Sequence, residues 1–288
     1  MTYRAILIPL LGGTAEPAAL QTAIALTRRS AGHLTGLHIK PDPRDVMPYI
    51  SEGASGALVT ELMAATEKEG DERAREAKKR FTEAVKAAGI DMVERPGGRG
   101  GATCSWREVV GREEVVVRRI GRMVDVVVMS WPSDADNVEQ AVTLDAAMFD
   151  TARPVLLVPP DRTVSGADTI CLAWNGGPEA ARAAMESMPL MHEAKKVYVL
   201  TAADPRMRGT TVDDLVHYLN QHGIEPELVT CPTEGKTVGA ALLDAVREKG
   251  GDLLVMGCYG RSRISERVLG GVTRHVLKTA SVPVLMVH

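Results

Sequence analysis

The sequence predicts an α/β protein of two tandem domains, each a mainly parallel five-stranded sheet with helices on both faces. Three observations carry this reading. Short continuous apolar runs alternate with segments of helical periodicity, the pattern of strands buried on both faces and joined by right-handed crossover helices. The pattern occurs twice: Ile6-Leu7-Ile8-Pro9-Leu10-Leu11-Gly12-Gly13 aligns with Ile170-Cys171-Leu172-Ala173-Trp174-Asn175-Gly176-Gly177. Val124–Met129 likewise aligns with Gly251–Met256, and Pro154–Val158 with Pro283–Val287. Finally, 288 residues with 45% hydrophobic and 25% charged side chains suit two domains of ordinary globular composition. Two prolines in Pro159-Pro160-Asp161-Arg162 place the boundary there, giving domains 1–160 and 161–288.

In the second copy, strands are expected over 170–174, 196–201, 225–230, 252–256 and 283–287, and helices over 178–191, 211–222, 237–249 and 271–280. Helix 237–249 shows the reasoning. Val238, Ala241, Leu242, Ala245 and Val246 form one apolar stripe, and Glu248 and Lys249 precede a terminating Gly250. The first copy carries a longer connection from Pro41 to about Thr66, then a helix over 67–88 with charges spaced around Ala77, Phe81, Ala84, Val85 and Ala88, read as a solvated face. Met47–Gly56 is read as a loop or a lid. Gly97–Gly101 is read as a flexible turn, because it matches neither phosphate-binding glycine pattern.

Composition excludes several classes. A net charge of −3 with interspersed signs provides no footprint for nucleic acid or anionic lipid. The run Ala5–Leu10 is too short for a signal peptide or a membrane span, so a cytoplasmic protein is expected. Cys104, Cys171, Cys231 and Cys258 are scattered, which predicts reduced thiols, with only Cys258 near a motif. The His residues lack metal-ligand spacing, and no H-E-x-x-H or G-x-S-x-G occurs, so no metal site and no catalytic residue is assigned.

The informative stretch is Gly257-Cys258-Tyr259-Gly260-Arg261-Ser262-Arg263, followed by Gly270-Gly271-Val272-Thr273-Arg274. It leaves an apolar strand ending at Met256 and opens a helix. Ligands of open parallel sheets bind beyond the carboxyl ends of strands, where small residues admit a backbone and a helix N-terminus offers unpaired N–H groups to phosphate.

These residues resemble the universal stress protein family in its tandem, two-domain form. The resemblance rests on G-x2-G-x9-G at Gly257, Gly260 and Gly270, on the following Gly-Val-Thr, and on the closing Val282–Val287. It implies two flavodoxin-like or Rossmann-like domains paired as an internal pseudo-dimer through terminal strands at Val155 and Val284. It further implies ATP or another adenine nucleotide, with or without Mg²⁺, bound in the second domain. Carried over by position, Ala173, Trp174 and Asn175 would line the nucleoside side. Met256, Gly257, Tyr259, Gly260, Gly270, Gly271, Val272 and Thr273 would hold ribose and phosphates, and Arg261 would face them or solvent.

Two departures weaken the pattern. Asn175 stands where the family usually has Asp, leaving a neutral acceptor for ribose. Gly271 stands where Ser or Thr is usual, a hydroxyl worth roughly 0.5–1.5 kcal/mol that Thr273 could replace. The first copy departs further, with Leu11 opposite Asn175, Ser130 and Ser133 opposite two glycines, and Asp145 expected to oppose a phosphate. A degenerate first site follows. The resemblance thus implies a cytoplasmic stress-response regulator with an unidentified protein partner and, at most, slow ATP hydrolysis. The alternative is a non-nucleotide scaffold of the same fold, and homodimerisation stays open.

Overall fold

A computed structural model describes residues 2–11, 16–44, 56–95, 100–131, 138–163, 166–202, 209–258 and 271–288. The first half runs β1 (Ala5–Pro9), α1 (Glu16–Ser30), β2 (His33–Lys40), α2 (Gly56–Ala87), β3 (Asp91–Met92), β4 (Thr103–Val110), α3 (Glu113–Gly121), β5 (Val126–Ser130), α4 (Val138–Asp150) and β6 (Val155–Val158). The second half runs β7 (Thr169–Trp174), α5 (Pro178–Glu186), α6 (Met188–Met191), β8 (Lys196–Ala202), α7 (Val212–Gln221), β9 (Glu227–Cys231), α8 (Val238–Glu248), β10 (Leu253–Gly257), α9 (Gly271–Thr279) and β11 (Val284–Val287).

Among the described residues, the strands join one 11-stranded sheet in the order β3-β4-β2-β1-β5-β6-β11-β10-β7-β8-β9. Apart from β3, the order on one side of the β6–β11 seam repeats in reverse on the other. Every pairing is parallel except the seam, where Val155, Leu156 and Leu157 oppose Met286, Leu285 and Val284. The halves therefore pair through the terminal strands, as the resemblance implied. A pseudo-twofold axis lies between Leu156 and Leu285, at 2% and 0% exposure.

Each face of the sheet carries an apolar layer that crosses this seam. One layer packs α1, α2, α5 and α7 over Leu156 and Leu285. The other packs α3, α4, α8 and α9 over Leu157, Val284 and Met286. Strands covered on both faces must be apolar at consecutive positions, which is why Ile6-Leu7-Ile8 and Ile170-Cys171-Leu172 are all buried. The repeated Asp before each internal strand has a repeated task. Asp125 accepts the main-chain N–H groups of Arg4 and Ala5 at 2.7 and 2.8 Å, and Asp252 accepts that of Thr169 at 2.9 Å.

Several expectations need adjustment. Helix α2 begins at Gly56, not near residue 67, so the preceding connection is shorter than read. Its opening turns are largely exposed and carry no charge periodicity, but Ala57, Leu58, Glu61, Leu62, Met63 and Ala64 are strong helix formers. Of the segment read as a loop or a lid, Met47–Gly56, residues 47–55 lie outside the described residues and Gly56 opens α2. Helix 178–191 is interrupted at buried Ser187, whose Oγ donates to the Ala183 carbonyl at 2.7 Å, two residues before Pro189, which has no N–H for the ladder. Pro226 delays β9 to residue 227. The two-residue strand β3 adds a sixth strand to the first half beside the expected five. Among the described residues, no helix is long and apolar enough to cross a membrane.

Candidate functional site

In the second half, the chain steps outward from β7 to β8 and β9, then returns through α8 to β10 on the other side of β7. Strand order thus reverses between β7 and β10, and the crevice beyond their carboxyl ends is where such sheets receive ligands. Ala173 of β7 lies in register with Met256 of β10. Val272 in the first turn of α9 packs on the same apolar layer that contains Met256, Ala173 and Cys258.

The residues expected to line a ligand sit at different depths. Ala173, Trp174, Met256 and Thr273 are buried, at 9%, 5%, 3% and 3% exposure. Gly257 and Val272 are half-buried, whereas Asn175 and Gly271 are exposed. Tyr259, Gly260, Arg261 and Gly270 lie outside the described residues. Trp174 closes β7 with its indole Nε1 buried and without a hydrogen-bond partner. Asn175 folds its side chain back on its own turn, where Oδ1 accepts the Gly177 N–H at 2.9 Å. The oxygen expected to accept ribose hydroxyls is therefore already engaged, and the amide donors remain.

The two described glycines of the motif have opposite surroundings. A Cβ on Gly257 would lie 2.5 Å from the Ala180 nitrogen and the Glu179 carbonyl carbon. Glycine at 257 is thus required by the close approach of α5, a packing cause that composition alone does not distinguish from a ligand cradle. A Cβ on Gly271 would meet no atom of the described residues within 4 Å. This position begins α9, whose first N–H groups have no intrahelical acceptor.

Sequence reasoning also missed Glu179. It opens α5 with its Cβ beside Gly257 and its Oε2 3.5 Å from where a Gly177 Cβ would stand. Its charge, after burial, contributes to raising the Cys258 thiol to about 12, with Arg182 opposing. The signal lay in the stretch Asn175–Glu179, which puts an acidic residue in the first turn after a strand, but only the fold brings it against β10. Among the described residues, no His, Cys, Asp and Glu cluster has the arrangement of a metal centre.

The equivalent crevice of the first half, between β1 and β5, is built differently. Leu11 donates its N–H to Glu16 at the start of α1. Helix α4 begins at Val138, so Asp145 lies in its interior and not at its N-terminus. The expectation that Asp145 opposes a phosphate at a helix start is corrected accordingly. Thr143, also inside α4, is buried and donates to Glu113 of α3.

Residues 166–288 match the model of the universal stress protein family. This half of the chain is a universal stress protein domain. The whole chain has the tandem form of the fold. A universal stress protein from Archaeoglobus fulgidus DSM 4304 superposes over 99% of this chain and 96% of its own, with a TM-score of 0.68 at 14% identity. A functionally unknown protein from Pseudomonas aeruginosa PAO1 covers 99% of this chain and 92% of its own, with a TM-score of 0.59 at 14% identity. At these identities the likeness is one of fold. A shorter universal stress protein, solved in complex with cAMP, covers 43% of this chain and 98% of its own, at 22% identity and a TM-score of 0.33. No curated protein matches the chain.

Proposed function

We propose that the second universal stress protein domain binds ATP or a related adenine nucleotide beyond the carboxyl ends of β7 and β10, and that occupancy alters a protein partner in a cytoplasmic stress response. One observation carries this reading: strand order reverses between β7 and β10, and the chain leaving β10 at this point continues into α9, whose first turn begins at Gly271 with no described atom near its Cβ position. Phosphate oxygens would accept the N–H groups of Gly271 to Thr273 and gain from the helix dipole. The Asn175 amide would donate to ribose or base. Glu179 faces the same crevice and would repel bare phosphates, so Mg²⁺ would offset that repulsion. The proposed activity is retention of nucleotide, with turnover slow or absent.

Denaturing freshly purified protein and identifying the released small molecules by mass spectrometry tests this. ATP, ADP or AMP near one per chain, absent from Gly260→Val, is the expected result. No release, followed by no binding in titration, would sink it.

A second reading, a scaffold without nucleotide, is favoured by the engaged Oδ1 of Asn175 and by α5 filling the space beside Gly257. The readings separate in thermal unfolding. ATP with Mg²⁺ at 100 times its dissociation constant should stabilise a binder by about 2.7 kcal/mol and a scaffold not at all.

A further inference from the structure

The two halves touch at more than the seam, and one contact reaches the helix that opens the candidate site. Trp131 follows β5 in the first half, at the position aligned with Cys258 after β10. Both residues anchor alike: Trp131 N–H donates to the Val158 carbonyl at 2.8 Å, and Cys258 N–H to the Val287 carbonyl at 2.9 Å. Their side chains diverge. The Trp131 indole, 8% exposed, crosses the seam and donates its Nε1–H to the Leu277 carbonyl in the last turn of α9 at 3.0 Å. Helix α9 ends at Thr279, so Leu277 carries one of the carbonyls for which the helix supplies no donor.

We infer that Trp131 is a positioning residue for α9: the first half caps the helix whose N-terminus faces the crevice of the second. The inference deepens the nucleotide reading and, for its consequence on binding, rests on it. Helix α9 has only nine residues, and a helix this short owes its order to tertiary contacts. One is with α8, where the His275 Cβ would lie 2.8 Å from a Cβ on Gly239. A second is with the sheet through buried Val276, and a third is the indole. With the cap removed, the half-buried Leu277 carbonyl loses its donor and the last turn frays, which loosens the helix that carries the first turn.

The reciprocal contact runs the opposite way. His288 Nδ1 lies 3.2 Å from the Cys258 carbonyl oxygen, and its ring packs edge-on against Phe149 of α4 with centroids 5.0 Å apart. Each half thus steadies the last helix of the other. A first half without its own glycine loop still has work in this arrangement, because Trp131 occupies the place where a loop would begin.

The test compares wild-type and Trp131→Phe full-length chains by hydrogen exchange without ligand, then by ATP affinity with Mg²⁺. The variant keeps an aromatic ring and loses the donor. Exchange of α9 amides roughly fivefold faster or more, with α8 and β1 unchanged, and ATP binding weakened by a similar factor are expected. Unchanged α9 exchange overturns the inference, and so does a loosened α9 with unchanged ATP affinity. If wild-type protein binds no ATP, the nucleotide reading fails, while the exchange result still decides whether Trp131 positions α9. Should Trp131→Phe not fold, the wild-type indole serves. An Nε1–H exchanging as slowly as the α9 amides supports the contact, and one exchanging like free indole overturns it.

Discussion

Gly257 and Gly271 share a residue type and little else. Gly257→Ala forces a methyl against the backbone of α5 and should destabilise the chain by about 1–3 kcal/mol, read as a lower midpoint in urea. Gly271→Ser meets no described atom at a helix start. It should stabilise by about 0.5 kcal/mol and, by restoring a hydroxyl at the first turn, tighten ATP binding up to about tenfold. A clash at 271 or a silent change at 257 would show the packing of α5 and α9 to be wrong.

Titration follows from burial. Burial raises the Cys171 and Cys258 thiols to about 12 and Cys104 to about 11, so neutral thiols are favoured in the folded state. Their contribution to stability is complete below the ordinary thiol value of 9.0 and is lost as pH rises from there towards 12. At pH 8 a disulfide-exchange reagent should modify the four buried thiols slowly in native protein and rapidly after denaturation. His38 has the opposite sign. Burial lowers its value below 6.5, against the bond to the Leu10 carbonyl, so stability present above 6.5 declines as pH falls below it. At this scale the sequence was only partly legible. It marked Gly257 as special, but the cause, a helix arriving from 78 residues earlier in the chain at Glu179, is a tertiary fact.

At the scale of elements, strands were the most legible part. An apolar run buried on both faces needs no partner to be recognised, and β7, β8, β10 and β11 fall within a residue of expectation. Boundaries set by local chemistry were harder to read. Ser187 and Pro189 break a helix whose apolar stripe continues, and the uncharged start of α2 hides a helix that begins at Gly56. The seam strand β11 offers the clearest element-level prediction. Leu285→Ala should cost about 2–5 kcal/mol, because Leu285 is fully buried opposite Leu156, where both halves meet. A substitution there that left stability unchanged would contradict the continuous sheet.

Across the whole molecule, the repeat predicted two domains, and the structure joins them through one sheet with two apolar layers spanning the seam. Calorimetric and van't Hoff enthalpies of unfolding should therefore agree for the intact chain, and two resolved transitions would count against shared layers. The asymmetry of the halves was legible in Leu11, Ser130 and Gly257. The contact by which Trp131 serves the other half was not, because no local pattern links residues 131 and 277. The central claim is a single nucleotide site in a two-domain chain, and titration calorimetry of ATP with Mg²⁺ into the full-length protein tests it most directly. One site per chain, weakened in Gly257→Ala and strengthened in Gly271→Ser, is the predicted result; no heat of binding, or two equivalent sites, would contradict it.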